Sequence, residues 1–462
     1  MWRTHKHSVS EEELQEQKQQ SKKLLCRPLI SVVVPTFYTK PQYLEELFCS
    51  LLNQSYDKWE LIIADATEDD SVCNNLAELC ERYRNKGIEE AQIVYKKLEG
   101  NRGISNNTNA GLQLAKGDYV AFVDHDDVLE PNALYEMAVA INERRPAIIY
   151  SDEDKVSEDG KHYFEPHFKS DYNEELLNHY NYFCHLVLVE REVLRKVGYL
   201  KPEFDGAQDY DLVMRVTEAV GEEAIAHIPK VLYHWRTSVN STALSAGNKG
   251  YAIEAQKKVI ASHFSRVLAQ DKEPREYIIF SSKTVRPLDI EWDQVLASYM
   301  NRSLRSVGMV GGRIIDKSST LRGVVECCGY RLLEDGTVET NFYGLSALKK
   351  GYFQRAYLPQ NMSGGSLDFC IVDREAFFEV GGFDQMLPPP YRDMDFCLKL
   401  KAAGYSVVID PQVTAVRDGR LADEKYPVNE NDAKKIFFAR WSKYISQGDA
   451  FFNENIRCDG YV

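Results

Sequence analysis

An apolar run, YVAFV, stops abruptly at Asp124-His125-Asp126-Asp127. Three carboxylates and an imidazole at the end of a buried strand repel one another and are costly to desolvate. A divalent cation would relieve that cost, because Mg²⁺ and Mn²⁺ prefer oxygen ligands and often bridge one or two carboxylates to a diphosphate. A solvated acidic turn capping the helix that starts near Pro131 would relieve it too. Other residues carry the same double reading. His234, in LYHWR, is a candidate ligand or a satisfied interior histidine. Asp209 and Asp211, in QDYDL, are helix N-terminal acids that favour the dipole, or one of them is a general base for an attacking hydroxyl. Asp65 ends the apolar run LIIAD and places another acid at a strand end.

The surrounding pattern positions these residues. LISVVVPTF at 29–37 is a continuous apolar run of the kind found in a strand covered on both faces. Helical periodicity follows over 41–54, where Leu44, Leu47, Leu51 and Leu52 share a face. Further strands are expected at 59–67, 92–97 and 118–123, alternating with helices at about 71–86 and 104–116. This alternation predicts an α/β fold with a doubly wound, mostly parallel sheet. Ligands in such sheets bind beyond the carboxyl ends of strands, where Asp65 and the acidic stretch both fall. Ser10 and Glu13 form a capping-box pair for a polar lead-in helix at 8–25.

The composition excludes some classes. Acids outnumber bases 70 to 56 in 462 residues, a net charge of -14, which argues against a general nucleic-acid binder. Ten cysteines show no C-x-x-C pair and no zinc spacing, so reduced core cysteines are expected. No apolar run approaches the roughly 20 residues that span a bilayer. The polar start MWRTHKHSVSEEELQEQKQQSKKLL does not read as a secretory signal. The expectation is a cytoplasmic protein, with peripheral contact at the inner face of the membrane left open, as is its oligomeric state.

The later half repeats the earlier one. FCIVDREAFFEVGGFD at 369–384 echoes HLVLVEREVLRKVGYLK at 185–201, and YRDMDFCLKLKAAGYSVVIDP at 391–411 echoes AQDYDLVMRVTEAVGEEAIAHIP at 207–229. Two blocks matching in order indicate duplication of one supersecondary unit.

Five segments in order, SVVVPTF, LIIADATEDD, NRGISNNTNAGLQLAKGDYVAFVDHDD, GAQDYDL and YHWRTSVNSTA, resemble the family 2 glycosyltransferases, whose fold is GT-A; the match covers about 28–245. The resemblance implies a metal-dependent inverting transferase that moves a sugar from a nucleotide-sugar donor to a glycan or lipid-linked acceptor, as in bacterial O-antigen, capsule or rhamnan-like polysaccharides. It implies Mn²⁺ or Mg²⁺ on Asp126, helped by Asp124 and Asp127, with His234 approaching the metal or diphosphate. Asp65 would bind the nucleotide, with Pro35 and Thr36 lining its pocket. Arg102 and Asn109 would lie near the diphosphate or sugar, Arg236 would assist, and Asp209 would be the base. One position departs from the family: the residue before the base is Gln208, which hydrogen-bonds but carries no charge.

The resemblance divides the chain into a lead-in at 1–27, a catalytic domain at 28–265 and a truncated, degenerate module at 266–462. The stretch before VGMVGG is too short for a second nucleotide-binding unit, and REYIIFSSKTVRPLD puts Ser281, Ser282 and Lys283 where a metal motif would fall. Asp393 and Asp395 match the base position without an evident donor site. An alternative reading makes the protein a glycan- or nucleotide-sugar-binding scaffold. A nucleotidyltransferase would carry a Gly-rich loop after the first strand, and PTFYTKP has no glycine.

Overall fold

The computed structural model describes residues 9–84, 92–237, 246–269, 274–317, 323–418 and 426–456. The chain forms two compact units, Met1–Lys169 with Asn181–His263, and Ser170–Tyr180 with Phe264–Val462.

The first unit opens with α1 (Glu11–Ser21), which starts on the expected capping box: Ser10 accepts from the Glu13 N–H and the Glu13 carboxylate reaches back to the Ser10 N–H. Then come β1 (Ile30–Thr36), α2 (Pro41–Leu52), β2 (Trp59–Asp65), α3 (Ser71–Tyr83), β3 (Ile93–Lys97), α4 (Ile104–Leu112), β4 (Tyr119–Phe122), β5 (Val128–Leu129), α5 (Ala133–Arg144), β6 (Ile148–Ser157) and β7 (Tyr163–His167). After the short helix α6 (Glu174–Leu177), within the segment assigned to the second unit, follow β8 (Val187–Glu190), α7 (Arg191–Val197), α8 (Gln208–Ala219), β9 (Ile225–Thr237) and α9 (Ala246–Leu268).

The sheet runs β3-β2-β1-β4-β8-β6-β9-β5, with β7 on β6. The α/β class is as expected. Pairing is parallel from β3 through β4; β8 then enters antiparallel to both β4 and β6, while β6 and β9 are parallel. Every residue of β1 and β2 is buried, which is why ISVVVPT and WELIIAD carry almost no alternation. The apolar face of α2, with Leu44, Leu47, Phe48 and Leu51 all at 0–1% exposure, packs into the same core. Each such side chain contributes about 1.5–3 kcal/mol on burial. Gly117 enters β4 with its Cα so close to β1 that a Cβ would lie 2.6 Å from the Leu29 carbonyl oxygen. The order of the strands places the carboxyl ends of β1, β2 and β4 side by side.

The second unit contains β10 (Tyr277–Ser281), β11 (Val285–Pro287), α10 (Trp292–Arg302), β12 (Val307–Asp316), β13 (Val324–Cys327), β14 (Tyr330–Leu332), β15 (Val338–Thr340), β16 (Gln360–Asn361), β17 (Phe369–Asp373), α11 (Arg374–Glu379), α12 (Tyr391–Ala402), β18 (Ser406–Arg417) and α13 (Glu430–Ile445). Its main sheet runs β10-β17-β12-β18-β11. That order and those strand directions repeat β4-β8-β6-β9-β5: β17 is antiparallel to β10 and β12, β18 is parallel to β12, and β11 is antiparallel to β18. Among the described residues no strands correspond to β1, β2 and β3. Nine described cysteines are free thiols. No helix among the described residues is long and apolar enough to cross a membrane.

Candidate active site

The acidic loop is pinned at both ends. β4 ends at Phe122, and β5 pairs antiparallel with β9, Val128 opposite His234 and Leu129 opposite Tyr233. Arg236 fixes the turn between. Its Nε donates to the Asp126 carbonyl at 2.6 Å and its main-chain N–H to Asp127 Oδ1 at 2.7 Å. The guanidinium is fully buried, 4.8 Å over the Tyr43 ring, and also reaches the Glu158 carbonyl at 3.0 Å and the Glu46 carboxylate. Arg236 therefore holds the loop from behind rather than facing a donor as expected.

Two of the four expected metal ligands, Asp127 and His234, are engaged by protein groups. Asp127 points inward: Oδ2 accepts from the Tyr233 hydroxyl at 2.5 Å and Oδ1 from Arg236 N–H. Burial, then the charges of Asp126 and Asp124, push its carboxyl well above the ordinary range. His234 is 1% exposed and both ring nitrogens are engaged, Nδ1 with Asp154 at 2.5 Å and Nε2 with Glu130 at 3.1 Å. Burial lowers its proton affinity, and these two carboxylates more than reverse the effect, so its pKa lies above the usual value. A raised folded-state pKa gives stability that is full below the unfolded pKa of about 6.5 and is lost as pH rises through the folded value. Thermal melts of wild type and His234→Gln should thus differ most near pH 6, with the gap narrowing toward pH 9.

Asp124 and Asp126 remain open. Neither side chain has a protein hydrogen bond among the described residues. Asp124 is accessible to solvent yet walled by protein on its other sides. That crowding, with Asp126 and Asp209 near, pushes its carboxyl up, while His185 and His125 oppose the shift. Asp209 stands on the first turn of α8, half-buried, with Oδ2 bound by Asn181 Nδ2 and Cys184 Sγ, each at 3.1 Å. Gln208 turns its Oε1 to the Gly206 N–H at 2.8 Å and does not contact Asp209. Asp211 is buried on Arg215, 2.8 Å from its Nε. Among the described residues no group of three or more His, Cys, Asp or Glu side chains is arranged to hold a metal ion. Two open carboxylates suit a cation that takes its other ligands from a substrate diphosphate and water.

At the neighbouring strand ends, Pro35 and Thr36 pair with Ala64 and Asp65. Asp65 is fully buried: Oδ1 accepts from Thr36 at 3.1 Å and the Thr67 N–H at 3.0 Å, Oδ2 from Tyr95 at 2.7 Å and Lys97 at 3.4 Å. Its burial opposes ionisation, but the bonds from Thr67, Tyr95 and Thr36 outweigh it and hold the carboxyl below the ordinary range. Arg102 is exposed beside Glu99 at the entry to α4. Gly103 there has φ of 90° and no room for a side chain, since a Cβ would lie 2.5 Å from Asp205 Oδ2; Asp205 Oδ1 accepts from the Ser105 N–H at 3.2 Å. Asn109 lies on α4. Its amide spans the Leu200 main chain, donating at 2.8 Å and accepting at 3.0 Å.

A buried polar row on β6 was missed in the sequence. Asp152 meets His227 at 2.9 Å, Asp154 meets His234, and Glu153 accepts from the His185 N–H at 2.5 Å. The signal was present: SDEDK sets three acids in a row in a strand that opens with the apolar IIY, and alternation sends Asp152 and Asp154 to one face.

Residues 31–198, carrying β1 to β8 and the acidic loop, match the model of Glycosyl transferase family 2. They are a family 2 glycosyltransferase domain. This domain has relatives among bacterial proteins. O-antigen biosynthesis protein RfbC of Myxococcus xanthus is 34% identical over 245 residues, 53% of this chain and 18% of that protein. Protein y4gI of Sinorhizobium fredii is 30% identical over 481 residues, 83% of this chain and 52% of its own; the chain thus spans about half the length of this relative. Among solved structures, S. aureus TarS in complex with UDP aligns over 53% of this chain and 67% of that one, at 22% identity and a TM-score of 0.39.

Proposed function

We propose that the family 2 domain transfers a sugar from a nucleotide-sugar donor to a hydroxyl of a glycan or lipid-linked acceptor, with inversion at the anomeric carbon, during assembly of a bacterial cell-surface polysaccharide. The observation that carries this reading is the placement of Asp209: a half-buried carboxylate on the first turn of α8, with Oδ2 held by Asn181 and Cys184 and no protein hydrogen bond on Oδ1 among the described residues. The acceptor oxygen attacks the anomeric carbon, its proton passes to Asp209, and the bond to the diphosphate oxygen breaks. Asp124 and Asp126 would hold Mn²⁺ or Mg²⁺, which when bound neutralises charge on the leaving nucleoside diphosphate. Asp65 orders the strand ends that form the nucleotide side. The relatives' names support the pathway: O-antigen biosynthesis for RfbC, and putative teichuronic acid biosynthesis glycosyltransferase for TuaG of Bacillus subtilis. A lipid-linked acceptor would draw the protein to the inner face of the membrane.

The part of the second unit that falls in the proposed domain 266–462 is read as a non-catalytic module. Counting from the opening tyrosines Tyr119 and Tyr277, Ser282, Lys283, Thr284 and Val285 occupy the places of Asp124, His125, Asp126 and Asp127. Thr284 accepts from Arg417 at 2.8 Å, and Arg417 is paired with Glu326 and Asp368. Asp393, at the place of Asp209, is buried on Arg392 at 2.9 Å, its carboxyl pushed up to about 6 chiefly by burial. Asp395 is likewise engaged, with Arg440 at 2.6 Å and Lys399 at 2.9 Å.

The test is nucleoside-diphosphate release from UDP-, dTDP- and GDP-sugars with Mn²⁺ or Mg²⁺ and with EDTA. One donor should turn over with metal and fall to background with EDTA. Nucleotide binding without turnover of any donor, across glycan and lipid-linked acceptors, would favour the scaffold reading.

A further inference from the structure

The acidic partner of the acceptor hydroxyl is held by a small cluster of its own. Asn181 Nδ2 and Cys184 Sγ converge on the same oxygen, Asp209 Oδ2, and lie 3.1 Å from each other. Asn181 Oδ1 accepts from the Phe183 N–H at 3.3 Å, which closes the turn on itself. The turn is anchored from below. Lys169 Nζ, fully buried, donates to the carbonyls of Phe183 at 3.0 Å and His185 at 2.7 Å, the residues flanking Cys184. The Phe183 ring stacks on Tyr150 with centroids 3.9 Å apart. Among the described residues no protein group hydrogen-bonds Asp209 Oδ1.

We propose that Asn181 and Cys184 are positioning residues for the transfer reaction: by occupying Oδ2 they present Oδ1 of Asp209 to the acceptor hydroxyl. The inference rests on the reading of Asp209 as the base. Proton transfer falls off steeply with misalignment, so a carboxylate with one oxygen tied and one open is set for the task. Cys184 serves as a donor and not as a nucleophile, because burial and the neighbouring carboxylate keep its thiol protonated.

Steady-state transfer by wild type, Asn181→Ala, Cys184→Ala, Cys184→Ser and Asp209→Asn tests this. Loss of one hydrogen bond to a charged group should lower kcat about tenfold in each alanine variant, with donor KM unchanged. Cys184→Ser keeps a donor and should recover most of the loss. Unchanged kcat in both alanine variants, beside an inactive Asp209→Asn, would overturn the inference alone; so would Cys184→Ser as impaired as Cys184→Ala. Full activity in Asp209→Asn would instead bring down the base reading. Should Cys184→Ala not fold, as judged by its thermal melt, Asn181→Ala carries the same comparison.

Discussion

Asp209→Asn is expected to lower kcat for sugar transfer by about 10²–10⁴-fold, the usual contribution of a positioned base, and to leave donor affinity unchanged. The substitution keeps the shape of the side chain and removes its capacity to take a proton. Its neighbours Asn181 and Cys184 hydrogen-bond its Oδ2, and neither is among the hydrogen-bond partners of Asp65 at the strand ends. A KM–kcat split is therefore the signature: kcat falls and donor KM stays. Retained transfer at the wild-type rate would remove Asp209 from the mechanism.

Arg236→Met should destabilise the first unit by about 3–5 kcal/mol, since several main-chain carbonyls held by a fully buried guanidinium lose their donor at about 1–3 kcal/mol each. Four main-chain or carboxylate groups lose their donor: the Asp126, Ser157 and Glu158 carbonyls and Glu46. The midpoint of that unit's thermal transition should fall by roughly 10 °C. Arg236→Lys should recover little, because an ammonium cannot reproduce a planar fork spread over separated acceptors. A midpoint within about 2 °C of wild type would contradict the role given to Arg236 as the clamp of the acidic loop.

The positions of the strands were legible because β1 and β2 are fully buried, β4 is buried except at Phe122, and all three spell themselves as apolar runs. The expected helix at 104–116 ends at Leu112, because the chain must turn to bring Gly117 against β1. The acids at strand ends were legible as a group, but their division of labour was not. Which of Asp124, Asp126 and Asp127 faces inward depends on β5, a two-residue strand whose pairing with β9 rotates Asp127 toward Tyr233. His234 could not be told from a ligand, since Glu130 and Asp154 lie 104 and 80 residues away in sequence. The tie between Asn109 and Leu200 spans 91 residues and has no local signal either. The segment 238–243 (SVNSTA), expected as a late donor-site loop, lies outside the described residues, as does 270–273 in the charged stretch expected as a domain boundary. The sequence reading puts the boundary at 266; the units divide between His263 and Phe264, and Ser170–Tyr180, expected within the domain 28–265, is grouped with the second unit.

The central claim is a division of labour, with Asp124 and Asp126 on the donor diphosphate and Asp209 on the acceptor. Calorimetric titration of the cognate nucleoside diphosphate, with and without Mn²⁺, into wild type, Asp126→Ala and Asp209→Asn tests it most directly. The account predicts metal-dependent binding of equal strength in wild type and Asp209→Asn, and loss of the metal-dependent part in Asp126→Ala. Metal-dependent binding by Asp126→Ala at wild-type strength would contradict it.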